Sequence, residues 1–209
     1  DLEVVIADPF RPGHEENFFP GETNFRRADV IIINKANNAK ADDVETVKAN
    51  ARRMNPGAAC ILGASEVTIT DEKALEGKKV LVVEDGPTLT HGGMAIGAGF
   101  IAAQKYNAGE IIDPRPFAKG SIDGVFKKFT HLGKVLPAMG YYDEQIKELE
   151  ETIDESNADV VLLGTPMDLN RVCKINKPNV RVTYVLKDMG DDKLSNYVEK
   201  FLKDHNLVK

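Results

Sequence analysis

With 209 residues, 42% hydrophobic and 29% charged, the chain has an ordinary soluble composition and room for one large or two small domains. Its 27 basic and 33 acidic side chains leave a net charge of -6 without a basic cluster, which argues against a nucleic-acid partner. No apolar run reaches membrane-spanning length, and Cys60 and Cys173 lack the CxxC spacing of a zinc site, so no membrane partner and a reducing cytoplasm are expected.

The chain begins at Asp1 and enters an apolar strand, Val4–Asp8, almost at once. A second strand is predicted at Val30–Asn34, and both carry the continuous Val/Ile runs of strands buried on two faces. A helix follows at Asp42–Met54, where Val44, Val47 and Ala51 recur at helical spacing and Asp42-Asp43 suits the N-terminal dipole. Next come a strand at Ala59–Leu62, a strand at Val80–Glu84, a helix at Gly93–Tyr106 and a strand at Glu110–Asp113. A helix at Asp143–Asn157 presents Ile146, Leu149 and Ile153 as its apolar stripe. Strands at Val160–Gly164 and Val180–Leu186 and a helix at Lys193–Asp204 complete the reading.

This alternation predicts an α/β fold with a mostly parallel sheet and flanking helices. The polar connection Glu76-Gly77-Lys78-Lys79 is the expected boundary. Residues 1–77 then read as the second half of a P-loop NTPase-like α/β domain, and 78–209 as a C-terminal α/β domain. No GxxxxGK loop followed by Ser or Thr occurs in the 209 residues. The expectation is therefore a later part of a longer chain whose triphosphate loop lies upstream of Asp1.

In open α/β sheets ligands bind beyond the carboxyl ends of strands, and the polar and glycine-rich segments fall there. After the first strand comes Asp8-Pro9-Phe10-Arg11-Pro12-Gly13-His14-Glu15. Arg11 suits bidentate contact with a phosphate or carboxylate, and His14 and Glu15 suit proton transfer. The same loop also reads as a plain surface turn in which Arg11 pairs with Glu15. After the second strand, Asn34-Lys35-Ala36-Asn37 is close to the NKxD by which GTPases read guanine. Asn37 in the last position supplies an amide instead of a carboxylate, which makes adenine at least as plausible. The alternative is a strand end that caps the following helix.

After the fourth strand comes Glu84-Asp85-Gly86-Pro87-Thr88-Leu89-Thr90-His91-Gly92-Gly93, then a Gly/Ala-rich helix. Backbone N–H groups of Gly92 and Gly93 at a helix start would make an anion site. Asp85 suits Mg2+, and Thr90 and His91 suit a phosphate or, for His91, a proton. Gly97 and Gly99 read as packing residues. Arg115, in Asp113-Pro114-Arg115-Pro116, either reaches an anionic ligand or bonds nearby carbonyls. Arg171 and Lys177 add positive charge at a later strand end, as a phosphorylated substrate or a solvated rim would have it.

Taken together, ADPFRPGHE, PGETNFRRADVIIINK, VEDGPTLTHGGMAIGAG, DPRPFAKGSI, VLPAMGY and GTPMDLNR resemble the cyclic 2,3-diphosphoglycerate synthetase family and its GTPase-like relatives, from about Ala7 to Tyr184. The resemblance implies a ligase using ATP (or GTP) and Mg2+ to close a bisphosphorylated small acid into an intramolecular phosphoanhydride. It implies Arg11, His14 and Arg115 on substrate phosphates with Thr90 beside them, and Asp85 on the metal. His91, Gly92 and Gly93 would face the transferring phosphoryl group, and Asn34, Lys35 and Asn37 the base. The expected partner is a small anionic phosphorylated substrate, in a homo-oligomer. A GTPase-like switch or metal-delivery module without a small-molecule product is the alternative.

Overall fold

The structure, a computed structural model, describes residues 1–140 and 142–207. In chain order the elements are β1 (Val4–Ala7), α1 (His14–Asn17), α2 (Gly21–Arg27), β2 (Val30–Ile33), α3 (Ala41–Met54) and β3 (Ala59–Ile69). Then follow β4 (Lys79–Asp85), α4 (Gly86–Thr90), α5 (Ala98–Lys105), β5 (Glu110–Ile111), α6 (Gly120–Lys128) and β6 (Leu136–Ala138). The last are α7 (Asp143–Glu155), β7 (Val160–Gly164), β8 (Asn179–Met189) and α8 (Leu194–Asp204), with single 3-10 turns at Arg115–Phe117 and Leu169–Arg171. This is the expected α/β architecture. Tyr141, which ends the VLPAMGY motif, lies outside the described residues.

The chain divides into two compact units, one of residues 1–66 with 185–209 and the other of residues 67–184. The divisions fall inside β3 and β8, and Glu76-Gly77-Lys78-Lys79 lies within the second unit.

In the first unit β1, β2 and β3 run parallel, with Val4 opposite Val30 and Ile33 opposite Leu62. All four residues of β2 are buried, as its Val-Ile-Ile-Ile sequence requires of a central strand. One face of this sheet packs Ile31 and Ile33 against Phe25 of α2 and Val44, Val47, Ala51 and Met54 of α3. On the other face Val30, Ile32 and Ile61 meet Leu194 and Tyr197 of α8.

The second unit orders its strands β8, β7, β4, β5, with β6 pairing the carboxyl end of β4 beyond β5. These pairings are parallel, and β7 and most of β4 are buried. The bonds from Thr70 N to Arg181 O and between the Thr68 and Thr183 hydroxyls keep a constant sum of residue numbers, so β3 and β8 run antiparallel here. The core gathers Leu81, Val82, Val83, Leu149, Ile153, Leu162 and Leu163.

Several elements differ from the sequence reading. The helix expected from Gly93 starts at Ala98, because the chain first makes the short helix α4. The strand expected at Glu110–Asp113 pairs only over Glu110–Ile111 before Pro114 ends it. β3 continues past Leu62 to Ile69, and α1, α2, α4, α6 and β6 were not expected. No described helix is long and apolar enough to cross a membrane.

Candidate functional site

In the first unit the ends of β1 and β2 bring Asp8, Arg11 and Lys35 together. The Asp8 carboxylate accepts from Lys35 Nζ at 2.7 Å and from Arg11 at 3.1 Å, and also from the Phe10 N–H. Two cations around one carboxylate make a preformed anion position that Asp8 itself fills. Any phosphate reaching Arg11 or Lys35 has to compete with it. Lys35 is held in a left-handed conformation, φ 60°, with its own N–H on Asn34 Oδ1 at 2.8 Å.

Glu15 is buried and takes the Gly13 N–H and the Asn50 amide at 2.7 Å, so it caps a turn instead of pairing with Arg11. His14 is exposed and stacks on Phe18 at 4.3 Å. The Asn37 amide is spent on the chain: it accepts from Ser65 N at 3.0 Å and donates to Ser65 O at 3.4 Å. This two-point clamp ties the loop to β3, so of the base-reading trio Lys35 and Asn37 both hold internal partners.

The second unit carries a crevice where open α/β sheets bind ligands. From β4 the chain moves to β5 and β6 on one side, then returns to place β7 and β8 on the other. The gap beyond the carboxyl ends of β4 and β7 is thus a topological switch point. A cavity of about 140 Å3 lies there, lined by Asp85, Pro87, Ala138, Met139, Thr165, Met167 and Leu169 among others.

Asp85 stands at its head because it starts a helix. Its Oδ2 accepts from the Thr88 N–H at 3.0 Å and the Thr88 hydroxyl at 2.6 Å, and Pro87 follows in the first turn. Gly86 is required here, since a Cβ would sit 2.4 Å from Ala138 O of the neighbouring strand. This early helix corrects the helix start expected at Gly92-Gly93. His91 and Gly92 lie at the C-terminal end of α4, with both N–H groups bonded to Pro87 O, and neither Gly92 nor Gly93 opens a helix. His91 is exposed, and its Nδ1 lies 3.2 Å from Thr90 Oγ1, which in turn donates to Gly86 O.

Arg115 is engaged by the fold. It meets both Asp113 oxygens at 3.0 and 3.2 Å, donates to Leu132 O, and lies over the Phe126 ring at 5.0 Å. Among the described residues no group of three or more His, Cys, Asp or Glu side chains could hold a metal ion. The site residues expected together fall into separate sets: Arg11, His14, Asn34, Lys35 and Asn37 in the first unit, Asp85, Thr90, His91, Gly92, Gly93 and Arg115 in the second.

One group escaped the sequence reading. Glu84, one residue before Asp85, is buried in β4, and its Oε1 accepts from Gly97 N at 3.1 Å and Phe100 N at 2.8 Å. Gly97, Gly99 and Gly164 surround its carboxyl so closely that a Cβ on any of them would come within 3.1 Å of an Oε atom. Burial pushes the Glu84 pKa up to about 7 against the lowering pull of backbone N–H donors, and the Asp85 charge pushes the same way as burial. The available signal was an acidic residue ending an apolar strand opposite a Gly-x-Gly helix start.

The fold is that of an α/β protein with a mostly parallel sheet and a crevice at a strand-order switch. The chain is 54% identical over all 209 residues to a protein of Thermococcus kodakarensis named arginine synthetase ArcE. It spans 47% of that protein's length, about half of the curated relative it matches. No family model matches the chain. The relative's name is that of a synthetase, the class the motif resemblance implied, with a different product.

Proposed function

We propose that this chain is an α/β portion of an NTP-dependent synthetase whose product is arginine. The observation that carries the reading is the 54% identity along the whole chain to a protein of that name. The switch-point crevice with Asp85 at its head supports it, because a small ligand there meets one fixed carboxylate and apolar walls.

A ligase that makes arginine can do so by forming a carbon–nitrogen bond of the guanidino group. Phosphoryl transfer from the nucleotide to a ureido oxygen turns that oxygen into a leaving group. A nitrogen nucleophile then attacks the carbon, loses a proton and expels inorganic phosphate. Such chemistry draws mainly on positioning and charge neutralisation. Mg2+ carried on nucleotide phosphates needs only one or two protein carboxylates, and Asp85 suits that role, since Thr88 engages only its Oδ2. Bound there, the ion would neutralise charge on the transferring group.

The motif resemblance favours a second reading, in which the nucleotide's γ-phosphoryl passes to one phosphate of a bisphosphorylated acid. The other phosphate then attacks the phosphorus of that first phosphate, expels inorganic phosphate and closes a cyclic phosphoanhydride. One assay separates them. The protein is incubated with ATP or GTP, Mg2+, a ureido amino acid and ammonia, and in parallel with 2,3-bisphosphoglycerate. Arginine formed in step with phosphate supports the first reading; a cyclic product in the parallel reaction supports the second. Hydrolysis without either product, stimulated by a protein partner, would move the protein to a GTPase-like switch or metal-delivery module.

A further inference from the structure

Two cavities of the second unit share part of their walls. The smaller, at the switch point, contains Asp85 and Thr165; the larger, open and about 590 Å3, is lined by Pro166, Met167, Asp168, Arg171, Val172 and Arg181. Met167 and Val172 line both, and they are 58% and 44% exposed, high for apolar side chains. The crevice therefore runs from a carboxylate, across an apolar floor, to a cationic end.

That cationic end is undersupplied with acceptors. Arg181 reaches Asp168 and Pro166 O only at 3.4 Å each, the long limit of useful contact, and its buried Nε meets no acceptor. The exposed Arg171 guanidinium has no side-chain partner among the described residues. Two guanidinium groups against the single carboxylate of Asp168 leave a local positive excess in a chain of net charge -6. A fork of N–H donors in that state fits a carboxylate.

We propose that the crevice binds arginine lengthwise, with its α-carboxylate at Arg171 and Arg181, its methylene chain across Met167 and Val172, and its guanidino end at Asp85 and Thr165. The inference rests on arginine as the product of the proposed reaction. It makes Arg171 and Arg181 specificity-determining residues that select an amino acid over the corresponding amine. It also sets the reacting carbon beside Asp85, at the switch point. When nucleotide and metal are absent, Asp85 is open to the guanidinium.

The test is calorimetric titration of the protein with arginine, with agmatine, which has the same chain without the carboxylate, and with inorganic phosphate. Arginine should bind more tightly than agmatine by roughly tenfold or more, the value of a charge-assisted pair. Arg181→Gln and Arg171→Gln should each shrink that preference. Arg171 is exposed, so its variant keeps the test valid should Arg181→Gln misfold. Equal binding of arginine and agmatine, an unchanged preference in both variants, or no arginine binding overturns the inference. Phosphate binding that depends on Arg181 in place of arginine binding overturns it too, and assigns the cationic end to a free phosphate. Turnover to arginine with equal arginine and agmatine binding would sink this subsite alone. An arginine preference without turnover would sink the proposed reaction alone.

Discussion

Glu84 and Gly97 are bound as carboxylate to backbone: Glu84 Oε1 accepts the Gly97 N–H at 3.1 Å, and a Cβ at Gly97 would stand 2.5 Å from Oε2. The glycine exists to let the chain close over a buried acid. Gly97→Ala should therefore destabilise the protein by about 1–3 kcal/mol, since the carboxyl is confined and cannot swing away. Chemical denaturation of both proteins checks this; an unchanged midpoint would mean that the cradle relaxes at little cost.

Stability should also depend on pH through Glu84. With its folded pKa raised to about 7 by burial, the native state binds a proton more tightly than the unfolded chain, whose Glu titrates near 4.5. The contribution is full below the unfolded value and is lost as pH rises through about 7, on the order of 3 kcal/mol for a gap of this size. Glu84→Gln, an uncharged isostere, should remove that slope. Melting curves from pH 4 to 8, a span of roughly the titration range, show it as a difference between the two proteins.

Asn37→Asp should not turn the protein toward GTP. The amide at Asn37 clamps both backbone groups of Ser65, and a carboxylate cannot donate to Ser65 O. The variant should lose about 1 kcal/mol and keep its ATP/GTP ratio. A shift toward GTP would show that Asn37 leaves Ser65 to read a base.

Asp85→Asn separates folding from chemistry at the crevice. Asn caps a helix about as well as Asp, so the turn at Thr88 should survive and the melting temperature change little. Synthetase turnover and arginine binding should fall at least about tenfold with the charge removed. Full activity would remove Asp85 from the site.

Arg115 is expected to behave as a structural residue. Arg115→Ala removes the Asp113 pair, the bond to Leu132 O and the contact with Phe126, at about 1–2 kcal/mol given its partial exposure. An unchanged melting temperature together with a raised KM would return it to substrate binding.

Burial pattern is a local property, and it was readable. The Val-Ile-Ile-Ile run of β2 predicts a strand buried on both faces, and the structure buries every residue of it; β1, read the same way, lies at the sheet edge and leaves Val4 and Ile6 exposed. Val44, Val47 and Ala51 recur at helical spacing and are the buried stripe of α3. The carboxyl ends of the strands were legible as well: Asp8 and Asn34 directly follow β1 and β2, and Asp85 ends β4.

Partners were not legible, because they come from strands that the chain brings together later. Glu84 meets Gly164 only when β7 lies beside β4, Asn37 meets Ser65 through β3, and Arg115 meets Leu132 across α6. Gly92-Gly93 before Met-Ala-Ile suits a helix start, so the sequence predicts an anion site there. The Asp85 cap and Pro87 start a helix sooner and turn those glycines into its exit. Sequence by itself determined which residues are apolar enough to go inside, since hydrophobicity and period act along the chain, while strand order left the apolar β1 at an edge. Only the tertiary structure decided which polar groups remain open to a ligand, since a donor or acceptor is spent or spared by whichever backbone the sheet order sets against it.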